Sequence, residues 1–125
     1  FVHIFVHRYL MYPFETQGED NWMGRYFFTG GIMPSADTLL HFADSLSIER
    51  RWLVPGRHYA QTSNHWLANQ DANRQQVMEV LTQAYGHTAA SLWFQRWRMF
   101  WMACAELFGY DEGKEWRVAH YRFRR

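Results

Sequence analysis

The first seven residues, Phe1-Val-His-Ile-Phe-Val-His7, limit the possible folds more than any other segment. Apolar β-branched and aromatic residues follow one another with few polar breaks, where a half-exposed strand would alternate. This is the composition of a strand covered on both faces, as in sheets flanked by helices. A central strand is therefore expected here, its far end bordering a crevice of a parallel sheet. A chain that opens on Phe, already inside such a strand, is also expected to begin within a domain.

The remaining segments extend this pattern. Residues 12–20 supply turn residues and acids and predict a loop, and residues 22–28 predict a short aromatic helical turn leading into Thr29-Gly-Gly31. Pro34-Ser35 predicts a helix over 36–44, with Ser35 as its cap and Asp37 at its positive end. Residues 48–54 have strand composition, closed by a turn at Pro55-Gly56. A helix is expected from about 64 to 85, where Val77, Leu81 and Ala84 share a face and Gly86 ends it. A second helix, capped by Thr88 and stopped at Gly109, carries Trp93, Trp97, Phe100, Trp101, Cys104 and Phe108 on one face. Met99, Met102 and Leu107 make it apolar elsewhere too, which predicts a central helix. After the turn Asp111-Glu112-Gly113, a last strand is expected over 116–123. The order strand, helix, strand, two helices, strand is α/β.

At 125 residues, 48% hydrophobic and 20% charged, the chain has the size and composition of one globular domain. Its 13 cations and 12 anions are interspersed, apart from Arg122, Arg124 and Arg125, so it lacks the basic footprint of a nucleic-acid binder. No stretch approaches the roughly 20 apolar residues of a membrane span. The opening run, broken by His3, His7 and Arg8, has no positive n-region or cleavage site of a signal peptide. Cys104 is the single cysteine, which excludes an internal disulfide and fits a reducing compartment, so a cytoplasmic location is expected. The 19% aromatic content requires a well-packed core, a partner surface or an apolar ligand.

Neither a dinucleotide fingerprint nor a P-loop is present, and Gly30-Gly31 lacks the strand-to-helix setting such loops need. The histidines, at positions 3, 7, 41, 58, 65, 87 and 120, form no metal-ligand spacing, and no metal is expected. Ser35, His3 and Asp37 do not form a hydrolase triad, because no nucleophile elbow surrounds Ser35. His3 is either a core histidine or a site residue, and His58-Tyr59, just past a strand end, is open in the same way. The aromatic stripe of residues 93–108 is core, or one wall of a pocket for an apolar or cationic substrate.

Several strings carry a resemblance: Phe1-Val-His-Ile-Phe-Val-His-Arg8, Asp20-Asn-Trp-Met-Gly-Arg-Tyr-Phe-Phe-Thr-Gly-Gly-Ile-Met-Pro-Ser35 and His58-Tyr-Ala-Gln-Thr62. Trp97-Arg98, Ala103-Cys-Ala-Glu-Leu-Phe-Gly-Tyr110 and Glu115-Trp-Arg-Val-Ala-His-Tyr121 continue it. The chain resembles, collinearly and almost throughout, the C-terminal region of the cyclopropane-fatty-acyl-phospholipid synthases, and more closely the coclaurine N-methyltransferase branch.

The resemblance implies a seven-stranded, Rossmann-like class I methyltransferase sheet, incomplete here. Residues 1–125 would hold its fifth strand, its sixth and its antiparallel seventh, with the cofactor-binding half absent. The cofactor would be S-adenosylmethionine, and the acceptor a small amine or the alkene of an unsaturated phospholipid, the latter with peripheral membrane contact. In the synthases a bicarbonate acts as base, held in part by a histidine and a tyrosine. His3 and Tyr59 stand at the matching positions, while Phe5 replaces the usual isoleucine. In the N-methyltransferase branch, aromatic residues such as Phe5, Phe28, Trp97 and Trp101 would line the amine pocket. A rival reading is a non-catalytic aromatic-rich module for an apolar partner or membrane face.

Overall fold

The computed structural model describes residues 1–42 and 44–125. Its main sheet is organised by β5 (Trp116–Arg124), which lies between β1 (Val2–His7) and β4 (Ser47–Pro55) and runs antiparallel to both. The three strands expected from sequence are therefore present, including the antiparallel last one. Among the described strands β5 lies at the centre, with β1 and β4 on either side of it. Both faces of β1 are covered. Val6 packs with Ala36, Ala119 and Tyr121 on one side, and Phe5 meets Phe28 and Phe108 on the other. Tyr121, fully buried, satisfies its phenol by donating to the Ala36 carbonyl at 2.7 Å.

The expected helix over 36–44 is a 3₁₀ turn, Thr38–His41; Ala43 lies outside the described residues. The backbone of Ser35 is drawn instead into a bridge with His7, and its N–H donates to Thr38 Oγ1 at 2.9 Å, reversing the expected cap. Asp37 pairs with Arg51 on β4.

The turn expected at Pro55-Gly56 is a helix start: α2 (Gly56–Ala72) follows β4 directly. Gly56 is required there, because a Cβ would overlap the carbonyl oxygens of Trp116 and Phe108. The single helix expected over 64–85 is two, because Asn73 breaks the run before α3 (Arg74–Tyr85). Its side-chain amide donates to the Asn69 carbonyl at 2.9 Å, competing with the backbone ladder.

The helix α4 (His87–Gly109) starts from Gly86 at φ 81° with no side-chain cap, so Thr88 does not serve as one. Its buried residues are Ala90, Phe94, Phe100, Cys104 and Phe108. Met99 and Met102 face outward, so α4 covers the fold from one side and is not central.

The short α1 (Trp22–Tyr26) confirms the expected aromatic turn. The two-residue strands β2 (Tyr12–Pro13) and β3 (Ile32–Met33) pair across it, a ladder the loop composition did not announce. Beyond α1, Phe27 stacks on Phe100 at 4.4 Å and meets Trp97 edge-on at 4.9 Å, while Tyr85 stacks on Trp93 at 4.2 Å. Much of the aromatic content is used to fasten this segment to α4. Among the described residues no helix is long and apolar enough to cross a membrane.

Candidate active site

The loop between β2 and α1 is folded back tightly. Gly24 sits so close to the Glu15 carbonyl that a Cβ would overlap it. This holds Phe14 against Phe28, stacked at 5.0 Å, and turns the loop over the end of β1. Under it lies a cavity of about 420 Å³, of the size that takes a small organic ligand. Phe5 from β1, Tyr59 from α2, and Cys104 and Phe108 from α4 form the inner wall. Phe14, Trp22 and Phe28 form the outer one, and Glu15 and Asp20 lie at the rim.

Burial acts on the polar groups inside. It raises the Tyr59 phenol above its ordinary value, with Cys104 adding to the effect, and pushes the Cys104 thiol up to about 12. Both are therefore neutral at physiological pH, Tyr59 as a hydrogen-bond donor and Cys104 as a compact apolar wall element. The only fixed negative charges among the lining residues are those of Glu15 and Asp20. An aromatic enclosure with carboxylates at its rim suits an organic cation or an amine better than an anion.

A second concavity, about 530 Å³, lies on the other side of Phe5 and Tyr59 and includes His3, His58 and His120. His3 thus reaches the same surface as Tyr59. It is exposed, however, and not enclosed in an apolar strand interior. Its Nδ1 is 2.8 Å from His120 Nε2, across the β1–β5 pair in which the two residues are in register. Among the described residues no group of three or more His, Cys, Asp or Glu side chains could hold a metal.

Of the four aromatic residues expected to line a substrate pocket, Phe5 and Phe28 meet in the first cavity. Trp97 and Trp101 are not among its lining residues. They border a groove among α2, α3 and α4, with Trp66 and Gln70. Trp101 Nε1 donates to Gln70 Oε1 at 2.8 Å, and buried Gln70 donates to the Phe94 carbonyl at 3.0 Å, so this tryptophan fixes helix packing. A period of 3.6 puts residues on one face but does not say how far round the helix a neighbour reaches. Sequence reasoning missed Phe14, Glu15, Asp20, Trp22 and Cys104 as cavity residues. The signal was the loop itself, where Tyr12, Phe14 and Trp22 are too large and apolar to be left in solvent.

The chain's residues do not fit an S-adenosylmethionine cradle. Its adenosine and carboxylate need a glycine-rich strand-to-helix turn, whereas Gly30-Gly31 leads from a short helix into a two-residue strand.

An antiparallel closing strand, two long helices on the sheet and a cavity at the end of β1 make this an incomplete Rossmann-like methyltransferase fold. The crystal structure of a coclaurine N-methyltransferase bound to N-methylheliamine and SAH superposes on 98% of the chain with a TM-score of 0.85, at 31% identity, over 36% of that protein. The chain is homologous along its whole length to the coclaurine N-methyltransferases. It is 35% identical over 130 residues to the (S)-coclaurine N-methyltransferase of Papaver somniferum and 33% identical over 129 residues to that of Thalictrum flavum subsp. glaucum. It is also 29% identical to a pavine N-methyltransferase of the latter plant. It spans 36% of the length of each of these curated relatives. No protein-family model matches it.

Proposed function

We propose that residues 1–125 are the C-terminal part of a methyltransferase domain that transfers the methyl group of S-adenosylmethionine to the nitrogen of a small aromatic amine. The aromatic cavity rimmed by Glu15 and Asp20 carries this reading, and the whole-length similarity to N-methyltransferases supports it. The donor, which supplies an electrophilic methyl, would be held by residues outside this chain.

The chain's own residues would receive the acceptor. Glu15 and Asp20 draw the protonated amine toward the rim, where it gives up its proton to solvent so that the neutral nitrogen can attack the methyl, and Phe5, Phe14 and Phe28 exclude water around its apolar body. Tyr59, kept protonated by burial, has a donor to offer to a polar group of the acceptor. His3 stands beyond Tyr59, on the adjoining concavity and outside the lining of the amine cavity. An amine forms no carbocation on methylation, so bicarbonate is not required. The phospholipid alkene and its membrane contact have no comparable support, since the relatives named here are N-methyltransferases. A cytoplasmic location belongs to the same proposal and is supported by the free thiol of Cys104.

The test is to incubate the full-length protein with S-adenosylmethionine and either a panel of small aromatic secondary amines or unsaturated phospholipid vesicles, with mass detection. An N-methylated amine is expected. A cyclopropane lipid with no methylated amine would overturn the proposal.

A further inference from the structure

We propose that Phe5 and Tyr59 form a partition that sets the largest amine the protein accepts, and that the histidine-lined concavity behind it is a latent extension of the amine cavity. The inference rests on the N-methyltransferase reading of that cavity. Both side chains line both concavities, and they are the only residues common to the two linings.

Each is held in place by neighbouring rings. The Phe5 ring stands edge-on to Phe28 at 5.8 Å and to Phe108 at 6.4 Å, and its backbone is in register with Val118 of β5. The Tyr59 ring meets Phe108 edge-on at 4.6 Å within the amine cavity and Trp66 at 6.1 Å within the other concavity. Tyr59 also belongs to the first turn of α2, which Gly56 lets settle against the Trp116 and Phe108 carbonyls. Two half-buried aromatic rings on a strand and a helix start, both leaning on Phe108, make a wall that is built in. A loop is not involved.

What lies behind the wall defines the substrates it excludes. The second concavity, about 530 Å³, combines an apolar floor with the imidazoles of His3, His58 and His120. It would take a second aromatic or alkyl arm on the acceptor nitrogen, with the imidazoles able to hydrogen-bond a polar group on that arm. Shortening either ring joins the two spaces, and the added volume favours the larger amine selectively.

The full-length protein, assayed with S-adenosylmethionine, reports this through the ratio of kcat/KM for dibenzylamine to that for N-methylbenzylamine. Tyr59→Ala and Phe5→Ala should each raise the ratio about tenfold or more, the scale on which apolar pockets discriminate by size. Tyr59→Phe, which keeps the wall and removes only the hydroxyl, should leave the ratio as in the wild type. If thermal melts show Tyr59→Ala unfolded, Tyr59→Leu shortens the wall with less loss of packing and is read on the same ratio. An unchanged ratio in folded, active wall-shortening variants overturns the partition and leaves the N-methyltransferase reading standing. A shift in Tyr59→Phe equal to that in Tyr59→Ala also overturns it, because selectivity would then follow the hydroxyl. A wild type inactive on every amine overturns the underlying reading, and the partition with it.

Discussion

His7 Nε2 donates to Glu115 Oε1 at 2.8 Å, tying the last residue of β1 to the residue that precedes β5. Its Nδ1 accepts the Tyr9 and Leu10 N–H groups at 3.0 and 2.8 Å, which places the ring proton on Nε2. The His7 backbone adds bonds to Pro34 and Ala36, so four segments meet at one nearly inaccessible side chain. In His7→Leu the volume is kept while these partners lose their acceptor and donor. A loss of about 1–3 kcal/mol is expected from the urea midpoint of the full-length protein. Glu115→Gln, which keeps an acceptor, should lose less.

Trp101 holds buried Gln70 from one side while the Phe94 carbonyl holds it from the other. Trp101→Phe leaves Gln70 Oε1 without a donor, and a destabilisation of about 1–3 kcal/mol is expected. KM for the amine should not change, because Trp101 does not line the aromatic cavity. A raised KM at unchanged stability would put it back into the substrate site.

Cys104 has a pH signature with a definite sign. The unfolded thiol titrates near 9.0 and the folded one at about 12, so between these values the unfolded state binds fewer protons and stability falls as pH rises. Below pH 9 both states are protonated and the contribution is fully present. Denaturant titrations of wild type and Cys104→Ala from pH 8 to 11 should differ in slope, the wild type losing more. Iodoacetamide at pH 8 should label Cys104 only on unfolding.

Glu15 and Asp20 lie at the cavity rim on an exposed loop. Replacing both, as Glu15→Gln with Asp20→Asn, should raise KM for a protonated amine several-fold, with little change in kcat, by removing attraction during capture. The wild-type KM should rise with added salt and the variant's should not. A fall in kcat at constant KM would place the acids at the reacting nitrogen instead.

Much of the architecture was legible because it rests on composition that only one environment accepts. The unbroken apolar run of β1, Gly109 at the end of α4 and the mixed β-branched and aromatic residues of β5 each marked their elements. The misplacements involve residues whose behaviour is decided by distant partners. Ser35 looks like a cap until His7, 28 residues earlier, claims its backbone. Gly56 looks like a turn until the Trp116 and Phe108 carbonyls require a residue without a side chain. The cavity was legible only in part. Phe5, Phe28 and Tyr59 were singled out, but the loop that covers them joins residues 12–15 to 20–24 through a fold-back that no local period encodes.

The central position of β5 sets the order in which this structure can be made. β1 and β4 are both complete before residue 56, yet neither bonds to the other; each waits for Trp116–Arg124, with Val2 opposite Tyr121 and Ser47 opposite Arg124. During synthesis the helices α2 to α4 can form and pair through local contacts before β5 is available to either strand. Within this sheet the contacts of β5 therefore close the longest stretches of chain, and its entry between β1 and β4 is the pairing that loop-closure entropy disfavours most.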